Sequence, residues 1–185
     1  MVDGYQPLTD SQWQVIAPLL PLQRKRRLCL RQVVDALRYV YRTGCQWRSL
    51  PACFPPWSAV YHYFARWQIT GLLQRLNEAA NRADRLACNR RPTPSLALVD
   101  AQSVNQAPRL NQQRGLDAHK RVNGRKQQVL CDTGGHIWRV LVHAANGHDS
   151  RAARPLLPAA KRTRAGLLFC QKWVPAGKPP AGGQR

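Results

Sequence analysis

The chain has 185 residues, with 29 Lys plus Arg against 9 Asp plus Glu, a net charge of +20 and 44% apolar residues. That apolar content excludes a chain without a core, and the charge points to a polyanionic partner, because cations release counterions on meeting phosphates. The excess is not confined to a tail: residues 1–91 hold 14 basic and 5 acidic side chains, and residues 92–185 hold 15 and 4. Of the cations, 23 are Arg, which a GC-rich genome would also favour. The length suits one full domain or two small ones. No apolar run approaches the ~18 residues of a membrane span, and no cationic leader precedes an apolar stretch, so a cytoplasmic protein without a membrane partner is expected. The six cysteines (29, 45, 53, 88, 131 and 170) lack C-x-x-C spacing and read as small buried apolar residues in a reducing compartment.

Thr9 and Gln12 have capping-box spacing, so a first helix is predicted from near Asp10, with Trp13, Ile16, Ala17 and Leu20 on its apolar face and a bend at Pro18. After the basic run Arg24, Lys25, Arg26 and Arg27, the period Leu30, Val33, Val34, Leu37, Val40, Tyr41 predicts a second helix ending at Gly44. A Pro- and aromatic-rich loop, 44–57, leads to a third helix over 58–70, capped by Ser58, with Val60, Tyr61, Phe64 and Trp67 as its apolar positions. Gly71 separates a fourth helix, which runs from Leu72 to about Cys88. The Pro-broken stretch 89–94 reads as a linker after a helical domain 1–88. Beyond it, SLALVDAQSV (95–104) reads as a buried strand, and the runs flanking Asp132–Gly135 read as a hairpin. Asp149 or Ser150 could cap a short helix reaching about Ala160, and residues 173–185 read as an unfolded tail.

Asp100 closes the apolar run Leu96–Val99, where a carboxylate costs several kcal/mol to desolvate unless a cation or polar partner compensates it. Either a hard metal ion or a solvent-facing strand end accounts for it. Asp132 is explained by turn chemistry and Asp149 by helix capping, while His136, His143 and His148 lack metal-ligand spacing. The runs Arg24–Arg27 and Lys120, Arg121, Arg125, Lys126, the latter around a flexible Asn123–Gly124, could meet phosphates or simply face water. The third helix, with His62, Arg66 and Gln68 between its apolar residues, fits a groove-reading helix, and its aromatics Trp57, Tyr61, Phe64 and Trp67 fit a core better than base-stacking.

Five ordered segments carry a family resemblance: LTDSQWQVIAPLLP (8–21), RTGCQWRSLPACFPPWSAVYHYFARW (42–67), LVDAQSV (98–104), HKRVNGRKQQVLCDTGG (119–135) and VHAANGHDSRAA (142–153). Over about residues 8–160 the chain resembles transposases of bacterial insertion sequences, specifically the insertion-sequence-five family. The resemblance implies an α+β protein: an all-helical, helix-turn-helix-like DNA-binding domain, then a ribonuclease-H-like domain with an Asp-Asp-Glu site for Mg²⁺. That site would hydrolyse phosphodiester bonds at the element ends and join the 3′ hydroxyls to target DNA. Asp100 matches the first catalytic and metal-ligating Asp. The implied partners are double-stranded DNA of the terminal inverted repeats and full-length transposase or a second copy, in a bacterial cytoplasm at the nucleoid.

The departures from the family limit these expectations. Where the family places its second Asp and, later, its Glu, this chain reads LLFCQKWVPAGKPPAGGQR, without a carboxylate side chain. The shift after Lys172 reads as translation in another frame. The second domain, 95–172, is therefore expected to be an incomplete ribonuclease-H-like unit of three strands plus a helix, and the chain to be inactive alone. The alternative is a non-enzymatic DNA-binding regulator of transposition.

Overall fold

Local sequence chemistry is visible at the first turn of the chain. Thr9 accepts a hydrogen bond from the Gln12 amide at 3.3 Å and its own amide donates to Gln12 Oε1 at 3.1 Å, closing the capping box at the start of α1, Asp10–Ile16. The expected bend at Pro18 takes the form of a tighter 3₁₀ turn over Ala17–Leu19. The computed structural model describes residues 4–21, 27–106 and 114–156, and the backbone alone of 166–169. These residues fall into two units, 1–92 and 93–185.

In the first unit α2, Leu30–Thr43, buries Leu30, Val33, Val34, Ala36 and Leu37 and stops at Gly44, whose φ of 65° is the left-handed conformation that glycine adopts without steric penalty. Helix α3, Trp57–Ile69, begins one residue earlier than expected, after Pro56, and has no side-chain cap. Helix α4, Leu72–Ala87, follows Gly71 directly. Their buried faces meet α1 in one apolar cluster that includes Ile16, Val33, Leu37, Val60, Trp67 and Leu72. Asp35 is buried here and holds the N-terminal segment, accepting from the Leu8 amide at 2.8 Å and the Tyr5 hydroxyl at 3.2 Å. Burial, then the Asp35 charge, pushes the Tyr5 phenol up to about 12.

The second unit is a five-stranded sheet built around β1, Leu96–Asn105. Strand β3, Val122–Asp132, runs antiparallel to β1, to β2 (Gly115–Asp117) and to β4 (Ile137–Ala144). Strand β5, Gly166–Phe169, lies parallel to the other side of β1. The expected hairpin around Asp132–Gly135 is present as β3–β4, but the sheet has two strands more than the three expected. The predicted helix from Asp149 spans only Asp149–Ala152, followed by a 3₁₀ turn over Arg154–Leu156 where Pro155 removes a donor. Its expected continuation to Ala160 and the tail 173–185 lie outside the described residues.

Strand alternation gives the sheet two unlike faces. Ala97 and Val99 on β1 share a face with Leu130 on β3, where Trp138, Ala153 and Leu156 cover them. The opposite face, with Val104, Val140 and Val142, leaves each of those side chains more than 40% exposed. Gly124 is not a flexible hinge: it is buried within β3, and a Cβ there would fall 2.0 Å from the Val104 carbonyl oxygen. The cysteines depart from expectation too, since Cys29, Cys53 and Cys88 are exposed and Cys45 and Cys131 half-buried. Among the described residues no helix is long and apolar enough to cross a membrane.

Candidate functional site

Helix α3 lines one side of a broad groove in the helical unit. Its residues Ser58, His62, Arg66 and Thr70 border this groove of about 1590 Å³, together with Arg27 and with Arg75 from α4. Arg27, His62, Arg66 and Arg75 are all exposed. Three of the residues singled out from sequence thus share one groove, and Arg75 joins them from a helix that pattern alone marked only by its apolar face. Arg24, Lys25 and Arg26 lie outside the described residues. Guanidinium groups gathered in one groove can bind successive phosphates, which fixes register on a duplex without reading its sequence.

The aromatic residues of α3 divide differently from expectation. Trp67 is 3% exposed and Phe64 packs against the core, but Trp57 and Tyr61 are 38% and 45% exposed. The reason is helical geometry: positions 60 and 67 point inward, and 57 and 61 lie on a different face of the same helix.

In the sheet unit Asp100 sits in the middle of β1, opposite Val129 of β3 and half-buried. It lies on the open face, in line with Leu98 and Gln102. The other three acids of this unit are engaged elsewhere. Asp117 accepts from Ser103 Oγ at 2.6 Å, from the Lys120 amide at 3.2 Å and from Lys126 Nζ at 3.1 Å. Its carboxyl is held well below the usual range, first by the Ser103 hydrogen bond and then by the Lys120 and Lys126 contacts against the opposing effect of burial. Asp149 meets Lys126 at 2.8 Å.

Lys126 therefore departs from the expected phosphate-contacting role. It is 5% exposed, and its three ammonium hydrogens meet Asp117, Asp149 and the Gly147 carbonyl at 3.2 Å. Burial lowers its pKa, but hydrogen bonds to Asp149 and Asp117 outweigh that and leave the net shift upward. The rest of that basic run stays nearer the surface. Lys120 donates to the Ala101 carbonyl at 3.0 Å, Arg121 turns the chain at φ 52°, and Arg125 lies half-buried on β3. The signal for Lys126 was its spacing of two and four residues from Gln128 and Leu130, which places all three on the covered face.

Asp132, the last residue of β3, is 1% exposed. Burial pushes its carboxyl up, but hydrogen bonds from the His136 side chain and amide, the Gly134 amide and the Trp138 indole hold it at about 2. The expected turn role is borne out in the amide contacts, and the link to Trp138 adds a core anchor.

This donor set does not make a divalent metal centre. No group of three His, Cys, Asp or Glu side chains suited to a metal ion occurs among the described residues, and Asp117, Asp132 and Asp149 each already have cationic or N–H partners.

Comparison with known proteins matches two family models in the order of the two units. Residues 8–77 match "Putative transposase of IS4/5 family", and residues 91–173 match "Transposase DDE domain", a domain of ribonuclease-H-like fold that is generally Mg²⁺-dependent. The chain is also 32% identical over 84 residues to the "Insertion element IS402 uncharacterized 16.2 kDa protein" of Burkholderia cepacia. That alignment covers 40% of this chain and 57% of the relative, so the chain spans little more than half the length of the relative it matches. No solved structure matches it. Two transposase models in succession, on a helical unit followed by a sheet with an Asp at the centre of its first strand, identify the chain as belonging to the DDE transposases of insertion sequences.

Proposed function

We propose that this chain binds the terminal inverted repeats of an insertion sequence through its helical unit, and that it does not cut DNA by itself. The observation that carries the reading is the groove along α3, where Arg27, Arg66 and Arg75 offer phosphate contacts and Ser58 and His62 offer polar side chains for base edges. Residues 1–88 would hold the duplex, and 95–172 would form the part of the DDE domain that contributes Asp100. In a complete transposase Asp100 would be the first Mg²⁺ ligand, where the metal activates the attacking oxygen and stabilises the leaving one. The second reading, a non-enzymatic regulator that occupies the repeats against full-length transposase, is favoured by Asp117, Asp132 and Asp149 being held in contacts of their own.

The test is binding and nicking on one labelled inverted-repeat duplex of the parent element, with a scrambled duplex alongside. Binding without Mg²⁺ that weakens steeply with salt, favours the repeat, is lost in Arg66→Ala and is unchanged in Asp100→Ala supports the proposal. Equal affinity for both duplexes defeats inverted-repeat recognition. Mg²⁺-dependent nicking abolished by Asp100→Ala defeats inactivity of the chain alone.

A further inference from the structure

The aromatic side chains that α3 leaves in solvent join others into one connected surface, separate from the cationic groove. Tyr61 meets Trp47 edge-on with ring centroids 5.2 Å apart, Trp47 meets Phe64 at 5.2 Å, and Phe64 meets Tyr41 at 6.5 Å. Trp57 lies one turn before Tyr61, with the Arg48 guanidinium 5.5 Å from its ring centroid. Tyr41 is 65% exposed, Tyr61 45% and Trp57 38%. Single exposed apolar residues need no explanation, but a contiguous run of large rings marks an interaction surface.

Charge decides what kind of partner fits it. Residues 39–64, which carry every one of these rings, contain Arg42 and Arg48 and no Asp or Glu. A second copy docked face to face would bring these cations against their equivalents, so the complementary partner is anionic. Flat rings beside guanidinium groups match nucleobases joined by phosphates. A duplex hides its base faces within the stack, and only unpaired bases present them.

We propose that Tyr41, Trp57 and Tyr61, with Arg48, form a stacking surface for unpaired bases of single-stranded DNA. The groove side of α3, with His62 and Arg66, faces elsewhere on the same helix, so single-strand and duplex binding are separable by mutation. The surface has no bearing on whether the groove recognises inverted repeats, so either proposal can fail alone.

The experiment uses the full chain and a fluorescein-labelled twelve-nucleotide oligo(dT), with a mixed-sequence duplex and inorganic polyphosphate as comparisons at constant salt. The expected result is oligo(dT) binding that polyphosphate of equal charge displaces poorly. Trp57→Ala and Tyr61→Ala each weaken it about tenfold, Tyr61→Phe leaves it within about twofold, and duplex affinity does not change. Circular dichroism checks folding, and Trp57→Ala serves if Tyr61→Ala does not fold. The wild-type comparison of oligo(dT) with polyphosphate needs no variant. The proposal is overturned by equal displacement by polyphosphate, by equal losses for single strand and duplex, or by unchanged oligo(dT) affinity in Trp57→Ala. It is also overturned by a dimer in sedimentation that Tyr61→Ala splits while oligo(dT) affinity persists, which would assign the surface to a second copy.

Discussion

The helical unit surrounds Val33, Leu37, Val60 and Trp67 with apolar neighbours, and its buried charges bond to backbone: Asp35 to the Leu8 amide, besides a half-exposed Arg38 at 3.3 Å, and Arg85 to the Arg91 carbonyl. The sheet unit has a smaller apolar cluster and sets buried charges against one another, Lys126 against Asp117, with the exposed Asp149 on its other side. A charge bonded to backbone ties two chain segments and can be lost one contact at a time. A buried ion pair is interdependent, because removing one member strands the other in a medium that does not solvate it.

The largest effect is therefore expected in the sheet unit. Lys126→Met leaves Asp117 buried beside an apolar side chain and should cost about 3–5 kcal/mol, read as faster amide hydrogen exchange across β1 and β3 with α2 unchanged. Adding Asp117→Leu should recover much of that loss, since an apolar replacement of a buried ion pair is often neutral. A failure to recover would show that Asp117 also holds the β2–β3 turn through the Lys120 amide.

Next in size is Leu37→Ala, which opens a cavity in the helical core at about 2–5 kcal/mol and should lower the urea midpoint of α2 exchange while leaving β3 unaffected. The two variants together test whether the units unfold independently.

Acid should separate them further. Asp132 has its carboxyl held at about 2, below the ordinary aspartate value, so its contribution is full above about pH 4 and disappears as pH falls towards 2. Hydrogen exchange in β3 should accelerate across that interval, and Asp132→Asn should flatten the slope. A wild-type slope that survives in the Asn variant would assign it to Asp117 instead. The smallest effect, about 1 kcal/mol, is expected for Thr9→Ala, which removes the α1 cap, and thermal unfolding followed at 222 nm would measure it.

Much of the helical unit was readable because its signals are local. The Thr9–Gln12 box, the left-handed stop at Gly44 and the break at Gly71 lie within a few residues of what they control. The hairpin at Asp132–Gly135 was local in the same way. Strand β2 was not, because Gly115–Asp117 is too short to display alternation and exists only by pairing with Val122–Gly124. Strand β5 is likewise four residues held by β1. At the candidate sites, Asp100 stood out as a carboxylate on an apolar strand, whereas the burial of Lys126 depends on Asp117 and Asp149, which only the fold brings to it. The exposure of Trp57 and Tyr61 was hidden because an aromatic at helical spacing looks the same whether it meets a core or water.

The order of strands in the sheet also sets a timetable. On the ribosome β3 meets β4 across a short turn almost as soon as both emerge, and together they can receive β1. The other edge of β1 must wait for β5, some sixty residues further along the chain, which at about 5–20 residues per second takes roughly 3–12 s. For that interval Leu96–Val99 presents an apolar strand with unpaired amides and carbonyls, the form in which strands recruit neighbouring chains. The yield of folded protein is thus governed by translation speed and by whatever shields a nascent strand, not only by the stability of the finished sheet.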